Sequence, residues 1–253
     1  MKNKEETETE ETYDAMAPFY HEYRTTKFKG GWFFNEYLEM PAMLTALGNV
    51  KGKKILDWGC GSGIYAKILS KRGAEVKGFD ISEEMIKIAR TENQNLDLRI
   101  GSGLKIPFDE KFDIVFASLA LHYLKDWNKV FSEVSRVLKK EGLFLFSDDN
   151  PVTKSSKSIT YEGNKIKALG IRNYFKEGEM HSADWELPNG KTVRIRAYSR
   201  TFESVIKTIL QNNFEIIDYV DAFPIPSAKN KFPEEYKLWS KVPKFVIWKL
   251  KKK

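Results

Sequence analysis

Between Ile55 and Gly63 the chain reads Ile55-Leu56-Asp57-Trp58-Gly59-Cys60-Gly61-Ser62-Gly63. Glycines at alternate positions let a ligand approach the backbone, and a helix beginning just after them offers unpaired N–H groups. A loop of this kind behind a strand suits a nucleotide-like ligand. The next apolar run ends in Asp80, whose carboxylate could accept hydrogen bonds from both hydroxyls of a ribose. Spacing separates the two obvious cofactor chemistries. A dinucleotide fingerprint places its glycines as G-x-G-x-x-G, whereas Gly59, Gly61 and Gly63 follow G-x-G-x-G with Asp57 directly ahead, which disfavours a nicotinamide enzyme. Farther along, His122 in Leu119-Ala120-Leu121-His122-Tyr123 is the first candidate for a base or orienting group, and Asp149, beside Asp148, is the second. The other reading of His122 is packing beside Trp127. His21 and His181 have no ligand partner at metal spacing, so no metal site is expected.

The elements that would position these residues follow from hydrophobic periodicity. Lys54–Trp58, Glu75–Phe79, Leu96–Ile100, Phe112–Ala117 and Leu143–Ser147 read as short strands. Between them, Gly63–Arg72, a helix capped by Ser82 and running to about Arg90, and Asp126–Lys139 show helical spacing. Alternation of this kind predicts an α/β fold, a doubly wound parallel sheet with helices on both faces. Ligands of such sheets bind at the carboxyl ends of the strands, where the glycine loop, Asp80, His122 and Asp149 all fall.

After Pro151 the rhythm changes. Residues 151–183 are polar and irregular, and Trp185–Pro188 and Thr192–Ala197 form a hairpin around a two-residue Asn189-Gly190 turn. Phe202–Asn212 is a helix, and Phe214–Val220 and Phe245–Leu250 complete the sheet. Residues at about 150–200 are expected as an insertion over the site, with Tyr161, Tyr174, Phe175 and Trp185 walling an acceptor pocket or covering the sheet.

At Asp57–Gly63 the chain resembles the class I S-adenosylmethionine-dependent methyltransferases, whose first motif has the form D-x-G-x-G-x-G. The resemblance continues through Gly78-Phe79-Asp80-Ile81-Ser82-Glu83-Glu84-Met85, Ile106-Pro107-Phe108, Phe112-Asp113-Ile114-Val115 and Leu138-Lys139-Lys140-Glu141-Gly142-Leu143, in the manner of the ubiquinone and menaquinone biosynthesis branch. It implies a Rossmann-like seven-stranded sheet with its last strand antiparallel. It also implies S-adenosylmethionine as donor, S-adenosylhomocysteine as product, and direct in-line transfer to an acceptor.

Carried over by position, Asp57, Gly59, Cys60 and Gly61 form the loop that meets the methionine part. Asp80 takes the ribose, Ile81 and Met85 flank the adenine, and Gly103 and Leu104 lie at its edge. Ser118, with Leu119, faces the sulfur. Cys60 itself reads as a small space-filler. The chain departs from the pattern at Ser102, where many relatives have Asp, and at Asp149-Asn150-Pro151, where relatives often have Glu-His-Pro. Tyr13-Asp14 and Tyr20-His21-Glu22-Tyr23 match a tyrosine-rich lid helix that would bring Tyr20 to the donor; an amphipathic helix packed through its aromatics is the equal alternative.

Composition sets the outer bounds. The 253 residues carry a formal charge of +7, with 42% hydrophobic and 30% charged, as in a globular protein. The Lys and Arg are dispersed among 35 acids, which argues against a nucleic-acid groove; the C-terminal lysines form the densest cluster. A single Cys points to a reducing compartment, and no apolar run suggests a membrane span or signal peptide, so a cytoplasmic location is expected. Residues 1–34 are expected as a tail and lid helix, with Met1–Thr12 solvated, and 35–253 as the methyltransferase domain. The acceptor is expected to be a small molecule. The alternatives are an RNA- or protein-modifying methyltransferase and a cofactor-binding protein without catalysis.

Overall fold

Along the central strands each successive side chain belongs to an opposite layer. In the computed structural model, which describes residues 3–25, 33–162 and 165–253 (side chains of 156–169 excepted), Ile55, Ile114, Phe116, Leu145 and Ile247 join one core. Their neighbours Leu56, Val115, Phe144, Phe146, Val246 and Trp248 join the other. This is the period-2 arithmetic of strands buried on both faces, and it requires helices above and below.

The chain begins with helix α1 (Lys4–Thr25), a π-helical segment (Phe33–Glu39) and α2 (Met40–Leu47). The core follows as β1 (Lys54–Trp58), α3 (Ile64–Lys71), β2 (Glu75–Asp80), α4 (Glu83–Glu92), β3 (Asp97–Ile100), β4 (Phe112–Ala117), a 3-10 turn (Leu121–Tyr123), α5 (Trp127–Val137) and β5 (Leu138–Asp149). Then come α6 (Pro151–Lys154) and two hairpins, β6–β7 (Ser156–Glu162, Lys165–Ile171) and β8–β9 (Met180–Glu186, Thr192–Tyr198). The chain closes with α7 (Phe202–Gln211), β10 (Phe214–Asp221), α8 (Ala228–Lys231), α9 (Pro233–Trp239) and β11 (Phe245–Lys252).

Seven strands form one sheet in the order β10-β11-β5-β4-β1-β2-β3. Strands β1 to β5 pair in parallel, and β11 is antiparallel to both β5 and β10. The expected Rossmann-like sheet with an antiparallel last strand is therefore present. Caps fall where short polar side chains permit them: Ser82 accepts from Met85 N–H to start α4, and Asp126 accepts from Lys129 N–H to start α5.

Four features differ from the sequence reading. Residues 3–12 are not a solvated tail (Met1 and Lys2 lie outside the described residues), because Asn3 and Glu6 form a reciprocal capping box (Glu6 N–H to Asn3 Oδ1, 2.9 Å; Asn3 N–H to Glu6 Oε2, 3.1 Å) that starts α1 at Lys4. Strand β5 begins five residues early, at Leu138, and Glu141 at φ 60° lets the chain enter it without a separate turn. The polar stretch after Pro151 holds the β6–β7 hairpin; Tyr161 lies there, and its side chain is outside the described residues. The β8–β9 turn is longer than Asn189-Gly190 alone: Leu187 N–H donates to Lys191 O at 2.7 Å, enclosing Pro188, Asn189 and Gly190.

Gly63 shows how the loop glycines serve the fold. Its φ of 79° is left-handed, and a Cβ there would stand 2.5 Å from Asn93 Nδ2. Asn93 is itself buried and fixed by hydrogen bonds to Gly63 O and Ala89 O. Gly63→Ala is expected to lower unfolding free energy by about 1–3 kcal/mol, from strained backbone and displaced Asn93. Urea denaturation checks this; an unchanged midpoint would show that the α3–α4 contact yields freely.

Candidate active site

The carboxyl ends of the parallel strands open into a cavity of about 350 Å³. Helix α1 roofs it with Glu6, Thr9, Tyr13, Met16 and Tyr20, residues three and four apart and therefore on one helix face. The β8–β9 hairpin closes a second side with Trp185, Ile195 and Ala197. The roof is held by Asp14, which accepts from Ser82 Oγ (2.6 Å) and Glu84 N–H (3.2 Å), and by a Glu8–Arg196 ion pair at 3.2 Å.

One end of the cavity carries Gly59, Gly61, Asp80, Ile81, Met85 and Gly103. Asp80 Oδ2 accepts from Gly61 N–H at 2.8 Å and Oδ1 from Ser82 N–H at 3.0 Å, so the acid fixes the glycine loop while each oxygen keeps a second lone pair. Burial raises its pKa, against the pull of those backbone donors. Gly59 and Gly61 both have positive φ, and a Cβ at Gly61 would meet nothing within 4 Å, which leaves open space at the wall. A bare backbone loop, a carboxylate and the apolar pair Ile81 and Met85 fit a nucleoside joined to a small zwitterion. At the far side of this end, Ser102 Oγ donates to Glu6 Oε1 and accepts from Leu104 N–H. Helix α1 thus delivers a carboxylate to the position where the sequence lacks one. Glu6 escaped the sequence reading, although Asn3-x-x-Glu6 is a visible capping signal.

Not every expected residue reaches the cavity. Asp57 is buried beneath the loop, accepting from Ala66 N–H, and its Oδ2 has no partner among the described residues. Burial, and then the nearby Asp80 carboxylate, push its pKa up to about 8. Cys60 turns inward, its N–H held by Phe79 O at 2.9 Å, and burial raises its thiol pKa well above normal. Leu104 packs into the core with Trp58 and Phe79 rather than lining the cavity.

The other end gathers Ser118, His122, Tyr123, Asp149, Lys154 and Lys244, together with Phe34, Trp185 and Phe245. His122 Nδ1 lies 2.8 Å from Asp148 Oδ1. With the proton on Nδ1, the carboxylate orients the ring and leaves Nε2 as the basic nitrogen. Tyr13 Oη and Tyr123 Oη are 2.5 Å apart, and burial lifts both phenol pKa values well above 10, so they stay protonated at neutral pH. Asp149 changes character from the sequence reading. Burial alone would raise its pKa, but Lys244 at 2.7 Å and Lys154 at 2.5 Å hold it far below the usual carboxylate range. Such a carboxylate is a poor base and serves to anchor two ammonium groups.

Beneath Ser118 lies a residue that sequence reasoning missed. Glu39, fully buried at the end of the π-helical segment, accepts from Ser118 Oγ (2.8 Å), Ser147 Oγ (2.5 Å) and Tyr65 Oη (2.5 Å). Ser147 Oγ in turn accepts from Leu119 N–H at 3.0 Å, steadying a left-handed residue (φ 48°) at the mouth of β4.

Comparisons with known proteins identify the family. Residues 56–146 match the family model described as a methyltransferase domain. A demethylmenaquinone methyltransferase of Chlorobaculum parvum is 31% identical over 168 residues, 63% of this chain and 68% of the relative. An uncharacterized protein of Haemophilus influenzae is 29% identical over 232 residues, 86% of this chain and 88% of its own length. The crystal structure of a putative S-adenosylmethionine-dependent methyltransferase from Listeria monocytogenes superposes with a TM-score of 0.74 at 26% identity, covering 85% of this chain and 96% of that one. The chain belongs to the class I S-adenosylmethionine-dependent methyltransferases, and S-adenosylmethionine is its cofactor. A ubiquinone biosynthesis O-methyltransferase of Bordetella avium is 32% identical over 120 residues, 43% of this chain and 47% of the relative. Among the described residues, no helix is long and apolar enough to cross a membrane.

Two measurements test the donor end. Asp80→Ala is expected to weaken S-adenosylmethionine binding by about 1.5–3 kcal/mol through loss of charge-assisted hydrogen bonds; an unchanged calorimetric titration would remove Asp80 from the site. For Asp57 the sign follows from its raised pKa. The folded chain keeps the proton up to about pH 8, while the unfolded chain releases it near 3.8, so this contribution is lost as pH rises through that interval. Asp57→Asn should flatten the decline in denaturation midpoint between about pH 4 and pH 8. Parallel curves for the two proteins would contradict the assignment.

Proposed function

We propose that this methyltransferase acts on a small-molecule acceptor that must lose a proton, and that His122, oriented by Asp148, receives it. The observation that carries the reading is the His122–Asp148 pair at the wall of a cavity roofed by α1 and the β8–β9 hairpin. A roofed cavity suits a compact acceptor better than a folded macromolecule. Relatives named as demethylmenaquinone and ubiquinone-biosynthesis methyltransferases support the same acceptor class.

The bound donor supplies an electrophilic methyl on a sulfonium, so no protein nucleophile is needed. The chain's contribution is then alignment and water exclusion. Asp80, Ile81 and Met85 hold the donor, with Gly59 and Gly61 bringing backbone to it. Tyr20 and Gly103 border it, and Ser118, fixed by Glu39, faces the centre between donor and acceptor. Phe34, Trp185 and Phe245 give the acceptor apolar walls. Neither the tyrosine hydroxyls nor Asp149 competes as a base, for the reasons of proton affinity given above. His122 Nε2 is left as the proton acceptor at that end.

His122→Asn is expected to slow methyl transfer by about 10²–10⁴-fold while donor affinity stays near wild type, and Asp148→Asn to slow it less. The readout is label transfer from methyl-tritiated donor into a metabolite extract. Undiminished transfer in His122→Asn would return His122 to a packing role, and label found only in macromolecules would overturn the acceptor class.

A further inference from the structure

The acceptor end of the cavity has an uneven charge balance. Asp149 Oδ2 is held by Lys154 Nζ at 2.5 Å and Oδ1 by Lys244 Nζ at 2.7 Å. All three side chains line the cavity and are largely shielded, at 12%, 19% and 25% exposure respectively. One carboxylate therefore serves two ammonium groups. The adjacent acid, Asp148, is engaged through Oδ1 by His122 Nδ1 and Asp149 N–H, and Arg200 stands near it as well as near Glu177 and Glu5. Arg200 donates to Leu124 O and Lys125 O through Nη2, while its buried Nη1 has no partner among the described residues. At the cavity wall itself, two ammonium groups thus share one carboxylate. The remaining lining acids, Asp80 and Glu6, are committed to the glycine loop and to Ser102 at the opposite end.

A shielded surplus cation is costly unless an anion offsets it, and N⁺–H···O⁻ hydrogen bonds are the strong kind. Each ammonium has donors left after Asp149 is satisfied. The neighbouring walls, Phe34, Trp185, Ile195, Ala197 and Phe245, offer no charge. We propose that the methyl acceptor carries an oxyanion group, carboxylate or phosphate, that seats on Lys154 and Lys244 while its apolar body packs against Trp185 and Phe245. The proposal rests on the small-molecule reading above and adds the acceptor's charge to it.

The test uses the full chain loaded with S-adenosylhomocysteine and three probes: 4-hydroxybenzoate, phenyl phosphate and the neutral 4-hydroxybenzamide. At least one oxyanion is expected to bind about tenfold or more tightly than the amide, and the preferred one identifies the group. Lys154→Met with Lys244→Met should abolish that preference. Asp149→Asn, which frees both ammonium groups, should raise oxyanion affinity about 3–10-fold and so guards against mere loss of folding. Equal affinity for all three probes, binding of none, or a preference that survives the lysine changes would overturn the proposal. A second arm separates it from its premise. A metabolite extract is split on an anion exchanger before reaction with methyl-tritiated donor. Label in the retained small molecules supports the proposal. Label in the unretained small molecules overturns it and keeps the small-molecule reading, and label only in macromolecules overturns both.

Discussion

A carboxylate taken out of water must find donors or give up its charge, and around Glu39 that requirement organises the floor of the site. Its three hydroxyl partners come from α3, from the end of β4 and from β5, so one side chain fixes the spacing of three elements. Burial raises its pKa, and the hydrogen bonds from Ser147, Tyr65 and Ser118 pull the other way. Removing one hydroxyl would leave the remaining polar atoms worse off than an all-apolar substitute would, because a half-satisfied buried network bears the full desolvation cost. The wide turn of the π-helical segment is where this residue enters, and such turns recur at functional sites.

The two ends of the cavity solve the same burial problem in opposite ways. At the donor end, acids meet backbone N–H groups and neutral hydroxyls: Asp80 with Gly61 and Ser82, Glu6 with Ser102. Two carboxylates therefore line that end, in keeping with the proposed seating of a cationic donor and its ribose diol. At the proposed acceptor end, Asp149 is overmatched by lysines, and Asp148 is spent on His122. The helix that roofs both ends is tied to the donor side through Asp14 and to the hairpin through Glu8, so the two halves of the cavity share one cover.

What was legible in the sequence was local. Period-2 runs, the caps Ser82 and Asp126, and the glycine loop followed by Asp80 each declare themselves within a few residues, and the sheet follows from them. Family resemblance supplied the antiparallel last strand, which no local pattern marks. Glu39 was invisible because its partners lie 26, 79 and 108 positions away, and an acid in an apolar stretch carries no label of what it binds. The Lys244–Asp149 contact spans 95 positions and hid in the same way. The place of Asp149 at the cavity was legible, but its chemistry was not, since proton affinity is set by neighbours that only folding brings together. The capping box at Asn3 and Glu6 was readable; the charged, Thr-rich composition of the segment masked it.

Trp58 and Trp185 both line the cavity, one from the strand that leads into the glycine loop and the other from the hairpin wall. Trp58 packs edge-on against Phe79, lies against Gly103, and keeps its indole nitrogen buried without a partner among the described residues. Indole emission responds to the polarity and quenching of its immediate surroundings. The chain therefore carries a native optical reporter at each end, and replacing either tryptophan by phenylalanine would let emission separate filling of one end from filling of the other, with no dye attached.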